Sequence, residues 1–264
     1  MCLILVAWRV HADYPLVVAA NRDEFFARPT APAAFWKDTP QLLAGRDLEA
    51  GGTWMGVTCE GRFAALTNFR DPAQNRSSAP SRGGLVADFL AGNEASQDYL
   101  QRIALRGSQC NGYNLLVSDG AALWWSSNMG GEPRQLEPGV YGVSNHLLDT
   151  PWPKVGAGKT ALAQALERLP DDEALFDLLQ DDGIHSDEHL PQTGIPLDWE
   201  RLLSAAFVKS SGYGTRGSTV LCVNRNGWAS FDEQTWLPGA QRGERLRYRF
   251  RLSESWSGAE SRPP

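Results

Sequence analysis

The chain holds only four cysteines, four histidines and three methionines in 264 residues. Cys2, Cys59, Cys110 and Cys222 form no CxxC pair, which argues against a zinc site. So few cysteines in a chain of this length also argue against a disulfide framework. An excess of basic residues is absent. Lys and Arg number 25 against 31 Asp and Glu, a formal net charge of −6, so no nucleic-acid partner is expected. No apolar run approaches the roughly 18 residues of a membrane helix, and no membrane span is expected. The start, MCLILVAWRV, lacks the charged region and small-residue cleavage site of a secretory signal. A cytoplasmic protein with reduced thiols is the expectation. No repeat, heptad pattern or linker supports a scaffold role. What remains is ordinary globular composition, 42% hydrophobic and 21% charged, which excludes a disordered or fibrous chain. The length predicts one domain over 1–252, with a flexible Ser-, Gly- and Pro-rich tail over 253–264.

Hairpins dominate the pattern. Runs 2–10 and 15–23 flank a short polar link, and runs 53–58 and 63–69 flank another. Runs 113–118 and 121–126 flank Asp119-Gly120, a two-residue turn signal. Residues 138–145 read as a strand, and 218–224 with 228–231 flank Asn226-Gly227. Residues 245–252 alternate Arg with apolar side chains, as an outer strand does. The first run is apolar on both faces, the mark of a central strand covered on both sides. Helical spacing marks 85–90, 99–105, 157–169, 174–179 and 197–207, with Asp171 and Asp172 at one helix start. Strand blocks alternating with helix pairs predict an α+β fold with a layered core.

The first hairpin concentrates chemistry. With its turn centred between Ala12 and Asp13, Cys2 falls opposite Asp23 and Ile4 opposite Asn21, so Cys2, Asn21 and Asp23 share a face. Arg22 then points to the other face. Removal of Met1 would give Cys2 both a thiol and a free α-amine, with ordinary pKa values of about 8.5 and about 7.7–8.0. Proton transfer between them is nearly balanced, so one residue supplies nucleophile and base. Asp23 would hold the resulting ammonium. An Asn amide would donate to a developing oxyanion, an effect worth about 3 kcal/mol.

These residues resemble a known family. Met1-Cys2 opens a strand, Ala20-Asn21-Arg22-Asp23-Glu24 ends the next, and Phe25-Phe26-Ala27-Arg28-Pro29 follows. Further matches are Gly51-Gly52-Thr53-Trp54-Met55-Gly56, Leu66-Thr67-Asn68-Phe69-Arg70, Gly142-Val143-Ser144-Asn145 and Gly214-Thr215-Arg216-Gly217-Ser218-Thr219. Together they resemble the NRDE family, that of transport and Golgi organisation protein 2, over nearly the whole chain to about residue 250. That family in turn resembles N-terminal nucleophile hydrolases of the choloylglycine hydrolase and penicillin acylase V type. The resemblance implies a four-layer αββα sandwich of two antiparallel sheets between helices. It implies Cys2 as nucleophile, Asp23 as holder of its amine, Asn145 at the oxyanion and Arg216 close to the thiol. Asn21 and Asn68 are the further oxyanion candidates, Asn68 lying opposite Thr53 if the second hairpin turns between Glu60 and Gly61. The hydrolases carry Arg immediately before Asn-x-Asp, where this chain has Ala20.

The resemblance thus implies an N-terminal cysteine hydrolase or acyltransferase acting on an amide or thioester, with no cofactor required. It also permits a non-catalytic carrier of haem or of acyl-CoA or lipid, whose ligand would be small, apolar and acidic. A cysteine or histidine is able to ligate haem iron.

Other signals have plainer readings. His185 and His189 sit in a polar segment that reads as a solvated loop rather than a metal site. Arg245, Arg247, Arg249 and Arg251 read as a charged outer face that discourages edge pairing, although such a row can hold an anion. Trp124-Trp125 and Trp152-Pro153 read as core. Gly83-Gly84 reads as a loop-to-helix junction, and His146 is placed near the rim of a pocket.

Overall fold

The computed structural model describes residues 2–105 and 109–253. Met1 and the expected tail from 254 onward lie outside the described residues. Two antiparallel sheets form the centre. The first is ordered β10-β1-β2-β11-β12-β13, and the second β3-β4-β5-β6-β7-β8-β9. The strands of the first are β1 (Cys2–Trp8), β2 (Leu16–Phe25), β10 (Gly139–Val143), β11 (Tyr213–Val223), β12 (Trp228–Leu237) and β13 (Gln241–Arg251). Those of the second are β3 (Thr30–Phe35), β4 (Leu42–Asp47), β5 (Met55–Thr58), β6 (Phe63–Asn68), β7 (Tyr113–Ser118), β8 (Leu123–Ser127) and β9 (Arg134–Leu136). The helices are α1 (Gly83–Ala91), α2 (Ser96–Ala104), α3 (Pro153–Leu166), α4 (Glu173–Asp177) and α5 (Leu197–Leu202).

Strand alternation builds the layers. Ile4, Val6 and Trp8 of β1 meet Val57, Phe63 and Leu116 of the other sheet in the inner core. Leu3, Leu5 and Ala7 face outward onto Val155 and Leu162 of α3 and Phe176 of α4. On the far side Ala64, Leu115 and Val117 receive Val86 and Phe89 of α1 and Tyr99 and Leu100 of α2. The order is helix, sheet, sheet, helix: the α+β sandwich. Every residue of β1 is buried because the strand is central and covered on both faces.

Several boundaries differ from the sequence expectation. The first hairpin pairs Cys2 with Arg22 and Trp8 with Leu16, one residue away from the expected register. Its link is tightened by the His11 ring, whose Nδ1 accepts from the Asp13 and Tyr14 main chains, and by Arg9 at φ 52. This centres the turn on Ala12. The second hairpin shifts the same way, pairing Met55 with Ala65, so Asn68 does not face Thr53. Gly61, at φ 85, closes its tight loop. The third uses a longer loop than Asp119-Gly120 alone: Ser118 pairs with Leu123, and Asp119 Oδ1 accepts from the Ala121 and Ala122 N–H groups.

Strands β3 and β4 had no clear sequence signal. β3 is an edge strand with Pro32 inside a register shift between Ala31 and Ala34, a position where proline is tolerated. Helix α5 stops at Leu202 rather than 207. Beyond it, the main-chain oxygens of Leu203 and Ala206 are taken by the side chains of Lys154 and Asn21, so they cannot extend a helix.

Candidate active site

One-residue register decides which side chains meet. Directly paired residues share a face, so Cys2 and Arg22 both point between the sheets. They line a cleft of about 650 Å³ at that end of the sandwich. This corrects the expectation that Asp23 faces Cys2 and that Arg22 points away. Arg22 therefore provides a guanidinium on the thiol's own face, although Ala20 stands where the hydrolases have arginine.

Asp23 is 1% exposed and reaches the same place by another route. β11 bulges between Thr215 and Gly217, and Thr215 Oγ1 donates to Asp23 Oδ1 at 2.7 Å. The same hydroxyl accepts from the Val208 N–H at 2.9 Å. Tyr213 donates its hydroxyl proton to the Asp23 carbonyl at 3.1 Å. A Cβ on Gly214 would lie 2.7 Å from the Val208 carbonyl oxygen, so this close approach requires glycine. The Asp23 main-chain N–H hydrogen-bonds the Cys2 sulfur.

Asn21 lies on the opposite face from Cys2. Its amide donates to the carbonyls of Leu179 at 2.7 Å and Ala206 at 2.8 Å, and its Oδ1 accepts from Ser218. Both amide protons are spent toward the helix layer, which separates Asn21 from the thiol it was expected to join. Asn68 ends β6 and lines the cleft. Its carbonyl accepts from Asn145 Nδ2 at 2.9 Å. Asn145 is fully buried just behind that wall. The Ser144 hydroxyl lies 2.9 Å from the Cys2 carbonyl oxygen and 3.2 Å from Asn145 Oδ1, which ties this pair to the start of β1. Arg216 occupies the bulge of β11 and lines the cleft, with Nη1 donating to the carbonyls of Phe25 and Arg28. The structure thus gathers Cys2, Asp23, Asn68 and Arg216 around one space, with Asn145 backing Asn68 and Asn21 on the other side of the sheet.

Three further charged groups went unnoticed in the sequence. Arg82 lines the cleft from the loop before α1. Gly52 fixes that loop, because a Cβ there would lie 2.4 Å from the Gly83 main chain. Glu233 of β12 is 8% exposed; its Oε1 accepts from the Ala33 N–H of the other sheet at 2.8 Å. Lys154 of α3 is buried on the helix side and donates to the Leu203 carbonyl at 2.8 Å. A lysine among helix-face apolar residues gives no sign that it packs behind a carboxylate.

Burial pushes the Cys2 thiol up, and the nearby Asp23 charge adds to this while Arg22 opposes it. Burial also raises Asp23, against the pull of Lys154, the Thr215 hydroxyl and Arg22. Lys154 falls to about 8 through burial, with Asp23 opposing. A thiol held neutral by burial needs a base to become a nucleophile. No group of three or more His, Cys, Asp or Glu suited to a metal occurs among the described residues, where His185 and His189 lie on a loop with a single 3-10 turn. His146 packs between Phe69 and Trp152, and does not line the cleft.

Comparison with known proteins places the chain. The family model described as Transport and Golgi organisation 2 matches residues 1–238. A Bos taurus transport and Golgi organization protein 2 homolog is 39% identical over 260 residues, covering 90% of this chain and 93% of the relative. The Homo sapiens homolog is 38% identical, covering 85% and 87%. The Drosophila melanogaster protein is 29% identical, covering 84% and 86%. Among solved structures, the C2A mutant of a conjugated bile acid hydrolase from Clostridium perfringens aligns over 98% of both chains with a TM-score of 0.50 and 8% identity. At that identity the likeness concerns the fold.

Proposed function

The chain belongs to the Transport and Golgi organisation 2 family, and from that premise we propose that it is an N-terminal cysteine hydrolase or acyltransferase acting on an amide or thioester. The observation that carries this reading is the Cys2 thiol on the wall of the cleft, on the same face as Arg22, with the Asp23 N–H on its sulfur. A fold-level likeness to a hydrolase raises the prior but assigns no chemistry.

Once Met1 is removed, the Cys2 α-amine takes the thiol proton. The thiolate attacks the substrate carbonyl carbon, and the carbonyl electron pair moves onto oxygen. In this reading Asn68 donates to that oxyanion, and Arg22 and Arg216 supply positive potential. The ionised Asp23 holds the ammonium, which the low dielectric around it makes a strong pairing. The ammonium then protonates the leaving nitrogen or sulfur as the bond to carbon breaks. Water, or an acceptor nucleophile, takes the acyl group from Cys2 and restores the thiol. No cofactor enters.

Intact-protein mass spectrometry after rapid mixing with short acyl amides and acyl thioesters tests the reading. An acyl adduct on Cys2 that hydroxylamine removes, absent in Cys2→Ala and present in Cys59→Ala, is expected. Full turnover by Cys2→Ala would sink the proposal. So would binding of haem or acyl-CoA by a protein that turns over neither substrate type, which is the carrier outcome.

A further inference from the structure

The cleft's wall is strongly charged. Six arginines and six carboxylates line it, and Trp54 and Leu66 are its largest apolar side chains. Three of the arginines line the cleft with Cys2 from separate segments. Arg22 is its cross-strand partner, Arg216 stands at the β11 bulge beside Arg22, and Arg82 reaches in from the loop before α1. Two of the cleft's cations are neutralised locally: Arg28 pairs with Asp47 at 2.7 Å and with Glu49 at 3.3 Å, and Arg46 with Asp38 at 2.7 Å. Arg22, Arg82 and Arg216 are treated differently. Among the described residues Arg22 has only Glu24, at 3.7 Å. Among the described residues no carboxylate pairs with Arg82 or Arg216. Arg82 donates to the Gly112 carbonyl at 3.0 Å, and Arg216 to carbonyls and the Thr30 hydroxyl. Partly buried guanidiniums held by neutral acceptors keep their full charge and spare donors. Clustering like charges around a buried thiol costs energy unless an anion joins them.

We propose that Arg82, together with Arg22 and Arg216, binds an anionic group of a small ligand, a carboxylate or a phosphate, in the cleft that holds Cys2. The planar fork of arginine suits both anions. Trp54 and Leu66 leave an apolar contact for the remainder of the ligand. That this ligand is the substrate rests on the hydrolase reading; the anion site itself does not.

Three probes share one amide and differ in charge: N-acetylglutamate amide, N-acetylphosphoserine amide and the neutral N-acetylglutamine amide. The readout is protection of Cys2 from iodoacetamide at fixed ionic strength, followed by mass spectrometry of its peptide. The anionic probes are expected to protect at concentrations about tenfold or more below the neutral one. The better of the two anions identifies the source. Arg82→Gln should erase that difference, with protection in each variant measured against that variant's own unliganded alkylation rate, and Arg82→Lys should restore part of it. Equal protection by all three probes, or protection by none, overturns the proposal. So does an undiminished preference in Arg82→Gln. Protection by an anion without acyl transfer supports the anion site and removes the hydrolase reading. Acyl transfer with no preference between charged and neutral amides does the reverse.

Discussion

Cys2 and Asn21 show how much depends on a single step of register. Both were legible as unusual, one as a cysteine at position 2 and the other as the polar end of an apolar strand. Which face each takes was not, because the turn's centre depends on His11 capping its own loop, and side-chain capping is invisible to strand periodicity. The result turns Asn21 into a clamp. Its amide joins β2 to the carbonyls of Leu179 and Ala206, in a region where water cannot replace it. Asn21→Ala is expected to lower unfolding free energy by about 2–4 kcal/mol, since buried acceptors lose their donors. Urea unfolding measures this. A variant of unchanged stability that had lost only acyl transfer would instead return Asn21 to the oxyanion.

At the level of elements, strongly periodic segments were readable and irregular ones were not. β13 announced itself by alternation: its arginines face the helix side, where Arg245 lies over the Phe176 ring and pairs with Glu173. β3 and β4 carried no such period, being an edge strand with a proline and its short neighbour. Pairing between β12 and β13 also creates a titrating cluster. Asp232 sits among Arg245, Arg247, Asp172 and Glu173, and is raised to about 6, chiefly by burial and then by Asp172, with the two arginines opposing. The folded state therefore holds this proton at a pH where the unfolded chain has released it. The contribution of Asp232 to stability is fully present below about pH 4 and is lost as pH rises through about 6. Asp232→Asn should flatten that part of the curve of urea midpoint against pH. A slope unchanged by the substitution would assign it to Asp23 and Glu233, which burial also raises.

Across the whole molecule, the layered architecture followed from alternating strand blocks and helix pairs. The motif resemblance added the order of layers, and the structure supplies it from packing alone. The members of the site come from positions as distant as Cys2, Asn68, Arg82 and Arg216, so their meeting is a property of the closed sandwich. The sequence motifs named five of the residues at or behind the cleft: Cys2, Asp23, Asn68, Asn145 and Arg216. Arg82 and Glu233 stayed hidden because each lies in a segment whose own pattern is explained by a loop or a strand. No described helix is long and apolar enough to cross a membrane.

In the proposed mechanism the α-amine of Cys2 is the base that activates its own thiol, whose pKa burial raises. The decisive measurement is the intact mass of the protein isolated from its own cells. The account predicts a mass lower than that of the full translated sequence by one methionine. Complete retention of Met1 would remove the base and contradict N-terminal cysteine catalysis.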